Sequence, residues 1–296
     1  MAYPITCSTL IKNTGESSCS VNYGKDVKHI LVPRGTEIST AANAILLATW
    51  TTGINAVSAS RYRPIMTSWR SEFTQDEPVF QTGDYGAEDF LYVTSAKDTF
   101  YLQGSKITPK FNSNMQSLSN GSWAVYTVTS NGYIKGKTVD GVKFLPIPCT
   151  FRMLPQRKNT DAEGAELAYT IRMDSTDDWN LYGAAVKPTD WNPKTSLTGL
   201  LDVNLAIVGT PSATEVVVSV LTDLNSDAVS TFAVGDFLFY KTSDDTAQTP
   251  ESMTVVNGVY TFVFTAAVNG YVTLKAPSAA SIKGYESTGA ATFTIS

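Results

Sequence analysis

Between Gly121 and Pro155 the chain runs through short stretches rich in Val, Tyr, Phe and Ile, divided by Asn131-Gly132 and Asp140-Gly141. Such dipeptides readily take the positive φ angles of a two-residue hairpin turn, so the stretch predicts an antiparallel meander. Along its first run Trp123, Val125 and Thr127 point one way and Ala124, Tyr126 and Val128 the other. Neither set is strongly polar, which predicts a sheet with something packed on both sides and with the flanking segments paired onto it. Further strands are expected at 5–10, 27–32, 90–94, 100–103 and 166–173.

The period changes to a helical one over 39–53. Ala42, Ile45, Leu46, Thr49 and Trp50 form one apolar stripe there, Ser39 is placed to cap the first turn, and Gly53 to end the helix. Residues 58–88 show no sustained period of either kind and predict a loop. A loop of about thirty residues in a compact domain is normally functional or disordered. This one holds Tyr62, Trp69, Phe73, Phe80 and Tyr85 interleaved with Arg61, Arg63 and Arg70, the residue types that anchor protein interfaces. These eight are the candidate subunit-contact residues; the alternative is that the rings cover their own domain.

Beyond the turn-rich segment 187–199 the pattern alternates strictly. Leu205 and Ile207, then Val216, Val218 and Val220, then Phe237 and Phe239, then Tyr260, Phe262 and Phe264 mark strands about ten residues apart, as do Tyr271, Thr273, Phe293 and Ile295. Turns are expected at Asn257-Gly258 and Asn269-Gly270. About seven short strands is what an immunoglobulin-like sandwich needs. The predicted fold class is mainly β: an N-terminal β-sandwich or barrel-like domain over 1–198 with one packed helix, followed by an immunoglobulin-like sandwich over 199–296.

Charge sharpens this division. Residues 1–201 hold 19 Lys or Arg against 18 Asp or Glu, whereas residues 202–296 hold 3 against 9. The second region is an acidic unit, unsuited to gripping nucleic acid. The three cysteines, Cys7, Cys19 and Cys149, are an odd number with no zinc or redox spacing, so reduced thiols and synthesis in a cytoplasm are expected. The opening residues lack the pattern of a secretory signal, and no run of eighteen apolar residues predicts a membrane span.

Candidate chemistry is sparse. The single histidine, His29, lies inside a predicted strand, where a structural role outweighs a catalytic or metal-binding one. The sequence holds no glycine-rich phosphate loop, no GxSxG and no HExxH, so no enzyme activity, cofactor or metal is expected. Asp174, Asp177 and Asp178 could gather round a hard cation but lack the alternate spacing of a calcium loop, and solvated turn carboxylates are the simpler reading. Trp179, Tyr182 and Trp191 could stack on a sugar or seal a joint between domains.

Three passages resemble a family of tailed-bacteriophage virion proteins from phages of Bacteroidetes-type hosts. They are LIKNTGESSC followed by KHILVPRGTEI and the helix; the hairpin and paired return strand of YIKGKTVDGVKFLPIPCTFRMLP through LAYTIRMDSTDDWNLYGAAV; and the acidic tail with VVSVLTDLNSDAVSTF and NGVYTFVFT. Within it the single helix, the long aromatic loop and the appended sandwich are similar to a tail tube protein with a C-terminal immunoglobulin-like domain. That resemblance implies a homo-oligomer of stacked rings, contacts with other virion proteins, non-specific passage of DNA through a channel and no membrane insertion. It also implies synthesis in the bacterial host cytoplasm and a final location in the virion. A capsid decoration or fibre protein, and a carbohydrate-binding adhesin, are the alternative readings.

Overall fold

The computed structural model describes residues 22–68, 70–74, 79–82, 88–92, 97–103, 109–155, 166–175, 177–276 and 284–295. The expected strand at 5–10, with Cys7 and Cys19, lies outside them. The fold is mainly β, and contacts divide the chain into two compact units, Met1–Gly199 and Leu200–Ser296.

The first unit contains, in order, β1 (Asp26–Pro33), α1 (Ala41–Ala44), α2 (Leu47–Ile54), β2 (Arg63–Pro64), β3 (Arg70–Thr74), β4 (Val79–Thr82), β5 (Glu88–Tyr92) and β6 (Lys97–Gln103). These are followed by α3 (Pro109–Ser117), β7 (Ser122–Thr129), β8 (Ile134–Lys137), β9 (Ile147–Met153), β10 (Glu166–Met173), α4 (Asp177–Asn180), β11 (Gly183–Val186) and α5 (Pro193–Ser196). The hub is β7. One edge pairs with β1 from Pro33↔Trp123 to Asp26↔Thr129. The other edge is shared, its first half by β9 and its second half by β8. From β9 the sheet runs on through β10 and β6 to β3, and from β8 to β11.

The free edge of β1 takes residues 63–68. Leu31 pairs with Arg63, Ile65 N–H donates to the His29 carbonyl at 2.8 Å, and Ser68 N–H donates to the Val27 carbonyl at 2.7 Å. Since β3 begins at Arg70, the chain passes from the edge of β1 to the far end of the sheet, which therefore curls into a barrel-like form. Its inside is filled by Leu31, Phe100, Val125, Ile147, Phe151, Leu167 and Tyr169. On the other face of β7, Tyr126 stacks on Phe144 at 5.2 Å and meets Trp50 of α2 edge-on at 5.0 Å. The Trp50 indole N–H donates to the Ala44 carbonyl at 2.8 Å, so this buried ring leaves no polar group unpaired. From Ala124 to Thr129 every residue of β7 is buried, as the two-faced apolar pattern predicts.

Several expectations need correction here. The helix expected over 39–53 is two: Ile45 is helical, Leu46 is extended at φ −84° and ψ 125°, and the chain restarts as α2. The break rotates the buried face from the predicted stripe to Ala41, Ala44, Trp50, Gly53 and Ile54, leaving Leu46 exposed. Thr40, not Ser39, caps α1 by accepting from Asn43 N–H at 3.1 Å. Gly53 does not end α2 but lies within it, where a Cβ would stand 2.4 Å from the Tyr62 ring. The helix is also not alone, since α3 covers part of the barrel interior with Met115. Its sequence, PKFNSNMQS, has low helix propensity and gives no apolar stripe to read.

The expected loop 58–88 is, in its described parts, mostly strand. The 63–68 segment pairs with β1, β3 pairs with β6, and β4 pairs with β5. Strands of two to five residues such as RSEFT are too short for a period of two to show.

The second unit holds β12 (Leu201–Ile207), β13 (Glu215–Thr222), β14 (Phe237–Lys241), β15 (Ala247–Gln248), β16 (Ser252–Val256), β17 (Val259–Val263), β18 (Gly270–Leu274), β19 (Tyr285–Ser287) and β20 (Ala291–Phe293). They form two sheets, ordered β16-β17-β13-β12-β19 and β15-β14-β18-β20. Lettered along the chain, the first four strands of one sheet read D-E-B-A and those of the other C′-C-F-G, the arrangement of an immunoglobulin-like sandwich. Val216, Val218 and Val220 of one sheet face Phe237, Phe239, Val272 and Phe293 of the other across the core. Asn257 and Gly258, at φ 47° and 75°, make the two-residue turn between β16 and β17. Asn269-Gly270 makes no hairpin turn: Gly270 begins β18 and pairs with both Lys241 and Phe293. It is glycine because a Cβ would meet the Tyr240 carbonyl at 2.2 Å.

Candidate assembly surface

Of the eight candidate contact residues, the structure ties several to their own unit. Tyr62 is buried with its ring against Trp50 and Gly53, and that burial pushes its hydroxyl above its ordinary value. Arg61 donates from Nε to the Ala56 carbonyl at 3.0 Å. Arg63 donates to the Arg61 and Ser58 carbonyls at 3.1 and 2.8 Å, with its guanidinium 5.2 Å from the Trp123 ring centroid. Arg70 lies further along, with its guanidinium 3.9 Å from the Tyr101 ring centroid and 3.3 Å from Glu72. Phe73 and Phe80 are carried by β3 and β4. Trp69 and Tyr85 lie outside the described residues. The set is therefore not one cluster: its first three members brace the turn between α2 and β2.

The element that stands apart is the β4–β5 hairpin. Phe80 pairs with Phe90, Gln81 with Asp89 and Thr82 with Glu88, and among the described residues neither strand pairs with anything else. Every other described strand of the first unit belongs to the nine-stranded sheet.

That sheet is covered unevenly. Over β1 and β7 the outer face is packed under α1 and α2. Over β9, β10, β6 and β3 the inward positions include Cys149, Phe151, Leu167, Tyr169, Ile171, Phe100 and Leu102, and the outward register positions include Thr150, Arg152, Glu166, Thr170, Arg172, Thr99, Tyr101, Arg70 and Glu72. Thr150, Arg152 and Arg172 are exposed. Register sets Arg172 opposite Lys97 and Thr150, and Arg152 opposite Thr170. Sequence reading missed this face because basic residues scattered along the chain converge only when β9, β10 and β6 lie side by side. The signal available was the polar residue at every second position of CTFRM and YTIRM.

A second surface feature lies at the β8–β11 edge. Thr138 N–H donates to the Tyr182 carbonyl at 2.8 Å, which brings the exposed side chains of Val139 and Leu181 to the same end of the sheet. The outer edge of β11 takes no strand among the described residues.

Groups with chemical potential are held inert. His29 is buried in the barrel, where its Nδ1 shares a hydrogen bond of 2.8 Å with the Tyr169 hydroxyl and its ring lies 4.0 Å from Phe100. Burial first, and then the charge of Lys135, lower its pKa to about 3. Burial pushes the Cys149 thiol up to about 12, with Asp174 adding to the shift, so it is no nucleophile near neutral pH. The buried Lys28 ammonium donates to the Lys194 carbonyl at 2.9 Å and to that of Leu197, and burial lowers its pKa to about 8.

Asp174 and Asp178 are each held by a cation of their own. Asp174 pairs with Arg34, and Asp178 with Lys137 at 2.6 Å. Among the described residues no group of three His, Cys, Asp or Glu side chains could hold a metal ion. The aromatic trio is likewise dispersed. Trp179 packs on Tyr23 and the Lys135 ammonium, while the Trp191 indole donates to the Ile45 carbonyl at 2.7 Å, filling the break between α1 and α2. An open groove of about 820 Å³ runs between Pro33, Gly35, Thr49, Thr52 and Ala56, but the charged groups at its rim are already paired: Arg34 with Asp174, and Glu37 with Lys143 at 2.8 Å. No described helix is long and apolar enough to cross a membrane.

No protein-family model matches this chain, and no curated protein matches it.

Proposed function

We propose that this chain is a structural subunit of a tailed-phage virion, and specifically a tail tube subunit that assembles with identical copies into stacked rings around a DNA channel. The observation that carries the reading is the β4–β5 hairpin. A two-stranded hairpin alone is marginally stable in water and needs a further strand or a packing partner. Here it pairs only with itself among the described residues, so a surface supplied by another copy would give it a partner that no described strand provides.

The β8–β11 edge supports the same reading. An open strand edge beside exposed apolar side chains invites pairing, and ring closure removes such edges. The near balance of 19 basic and 18 acidic residues over 1–201 suits a wall that lets DNA pass without holding it.

Purified full-length protein examined by negative-stain electron microscopy and sedimentation is expected to form rings or tubes. A species that stays monomeric at every concentration overturns the reading. Immunogold labelling of intact particles should mark tails; labelling of shells alone would assign the chain to the capsid. Removal of residues 200–296 should leave ring formation intact.

A further inference from the structure

We infer that Asn120 is a modification site: of the four Asn-Gly pairs in the chain, it is the one set to lose its side-chain amide without an enzyme, leaving aspartate and isoaspartate at the junction of α3 and β7. The inference does not depend on the assembly reading.

The chemistry belongs to the chain itself. The main-chain nitrogen of the residue after the asparagine attacks Cγ, a C–N bond forms, and ammonia leaves to give a succinimide. Water then opens the ring at either carbonyl, so the chain continues through the α-carbonyl as aspartate or through Cγ as isoaspartate. Nothing is oxidised or reduced, and water is the sole co-reactant. Glycine in the second position favours the attack because it has no side chain to block a close approach. Two freedoms are needed: a side-chain amide that can turn, and an N–H not tied to a good acceptor, since the nitrogen attacks only after losing that proton.

Four asparagines precede glycine: Asn120, Asn131, Asn257 and Asn269. Three of these pairs are held. Asn131 donates its side-chain amide to the Asn22 carbonyl at 2.9 Å, and Gly132 N–H donates to the Thr129 carbonyl at 3.0 Å. Gly258 is buried, and its N–H donates to the Ser230 hydroxyl at 2.8 Å. Asn269 Oδ1 accepts from Ile295 N–H at 2.8 Å, and Gly270 is buried in β18 between Lys241 and Phe293. Asn120 has neither restraint. It is exposed, and its side chain makes no hydrogen bond among the described residues. The Gly121 nitrogen lies 3.5 Å from the Leu118 carbonyl, beyond the usual hydrogen-bond range, and that carbonyl already accepts the Trp123 indole N–H at 2.7 Å.

Local geometry explains why the reactive pair stands here. In the turn that ends α3, Asn120 has a φ of 62°, the left-handed region that glycine and asparagine tolerate best. A Cβ on Gly121 would stand 2.4 Å from the Trp123 indole nitrogen. Each residue is demanded by its own position, and together they are reactive. The product falls at a structural joint, because Asn120 N–H donates to the Phe151 carbonyl at 3.0 Å and Ser122 pairs with Thr150. Isoaspartate inserts an extra main-chain carbon between these two anchors and adds a carboxylate.

The test is peptide mass mapping of the full chain after storage in mildly alkaline buffer, beside a sample kept unfolded in denaturant. In the folded chain the peptide holding Asn120 should gain the mass of an amide exchanged for an acid, as a mixture of aspartate and isoaspartate told apart by electron-transfer fragmentation. Peptides holding Asn131, Asn257 and Asn269 should lag it several-fold. In denaturant all four should convert at similar rates, because the hydrogen bonds that separate them are gone. Asn120→Gly suits the same φ and has no amide to lose, so it should abolish the more acidic species that isoelectric focusing resolves in stored protein. Should that variant disturb folding, the comparison of the four peptides in the unaltered chain stands by itself. Folded-state conversion at Asn120 no faster than at the other three pairs overturns the inference, as does an intact Asn120 once the unfolded sample has converted. Persistence of the acidic species in Asn120→Gly assigns the reaction elsewhere and overturns it too.

Discussion

The two central strands β7 and β13 are each eight residues long, and they are buried in opposite ways. In β13, EVVVSVLT, burial alternates residue by residue, because one face meets the sandwich core and the other meets solvent. In β7, SWAVYTVT, nothing after Trp123 is exposed, because the barrel interior lies on one side and Trp50 and Phe144 on the other. A sheet with one core can be recognised strand by strand. A sheet with two cores depends on which elements cover each face, and that choice is made by segments far away in sequence. Among the described residues the first unit covers one half of its outer face with helices and no described helix covers the other half.

The largest expected effect separates the two cores. Trp50→Ala removes a fully buried ring from the outer core of β7 and should cost about 3–5 kcal/mol. Calorimetry of the full chain should show two transitions, with only that of the first unit lowered. Equal lowering of both would mean that the units do not melt independently.

Acid provides the next contrast, because the second unit contains no histidine. In the unfolded chain His29 titrates near 6.5, and in the folded barrel near 3. Between these values the unfolded state binds a proton that the folded state does not, so stability falls as pH drops through that window. At pH 4.5 the loss should reach about 2–3 kcal/mol for the first unit. His29→Gln should flatten this slope in a series of melts between pH 7 and 4.5. An unchanged slope would place the acid sensitivity elsewhere.

Gly270→Ala acts in the reverse direction on the comparison. Its Cβ would press on the Tyr240 carbonyl, and overpacking of this kind costs about 1–3 kcal/mol. Only the transition of the second unit should move. The smallest effect concerns Lys28, whose folded pKa of about 8 lies below its ordinary 10.5. Above pH 8 the unfolded chain holds more protons than the folded one, so the first unit should gain stability up to pH 10. Beyond that, the raised hydroxyls of Tyr62 and Tyr169 begin to oppose the gain. Lys28→Met should abolish the rise in melting temperature between pH 8 and 10.

Where the sequence was legible follows from the same contrast. Val216, Val218 and Val220 mark their strand because polar residues separate them from a solvent face, and Asn257-Gly258 marks its turn because positive φ is costly for most other residues. The all-apolar faces of β7 foretold two-sided packing. The pattern around Ile45 and Leu46 misled because an apolar stripe assumes an unbroken helix, and the break depends on the Trp191 indole arriving from 146 residues away to satisfy the Ile45 carbonyl. The candidate contact residues mixed two roles. Tyr62 and Arg63 answer to their own unit's packing, while Phe73 and Phe80 ride on strands too short for a period of two to show.

The last strands of the second unit have a mechanical consequence. β12, near its entry, lies parallel to β19, near its exit, with Leu201↔Tyr285, Asp202↔Glu286 and Val203↔Ser287 in register and Thr288 N–H donating to the Val203 carbonyl at 3.0 Å. Tension between Leu200 and Thr288 would slide these strands along one another and load their hydrogen bonds together, instead of peeling them one at a time. This parallel pair thus clamps the segment that enters the sandwich to the one that precedes β20, and resists stretching between them.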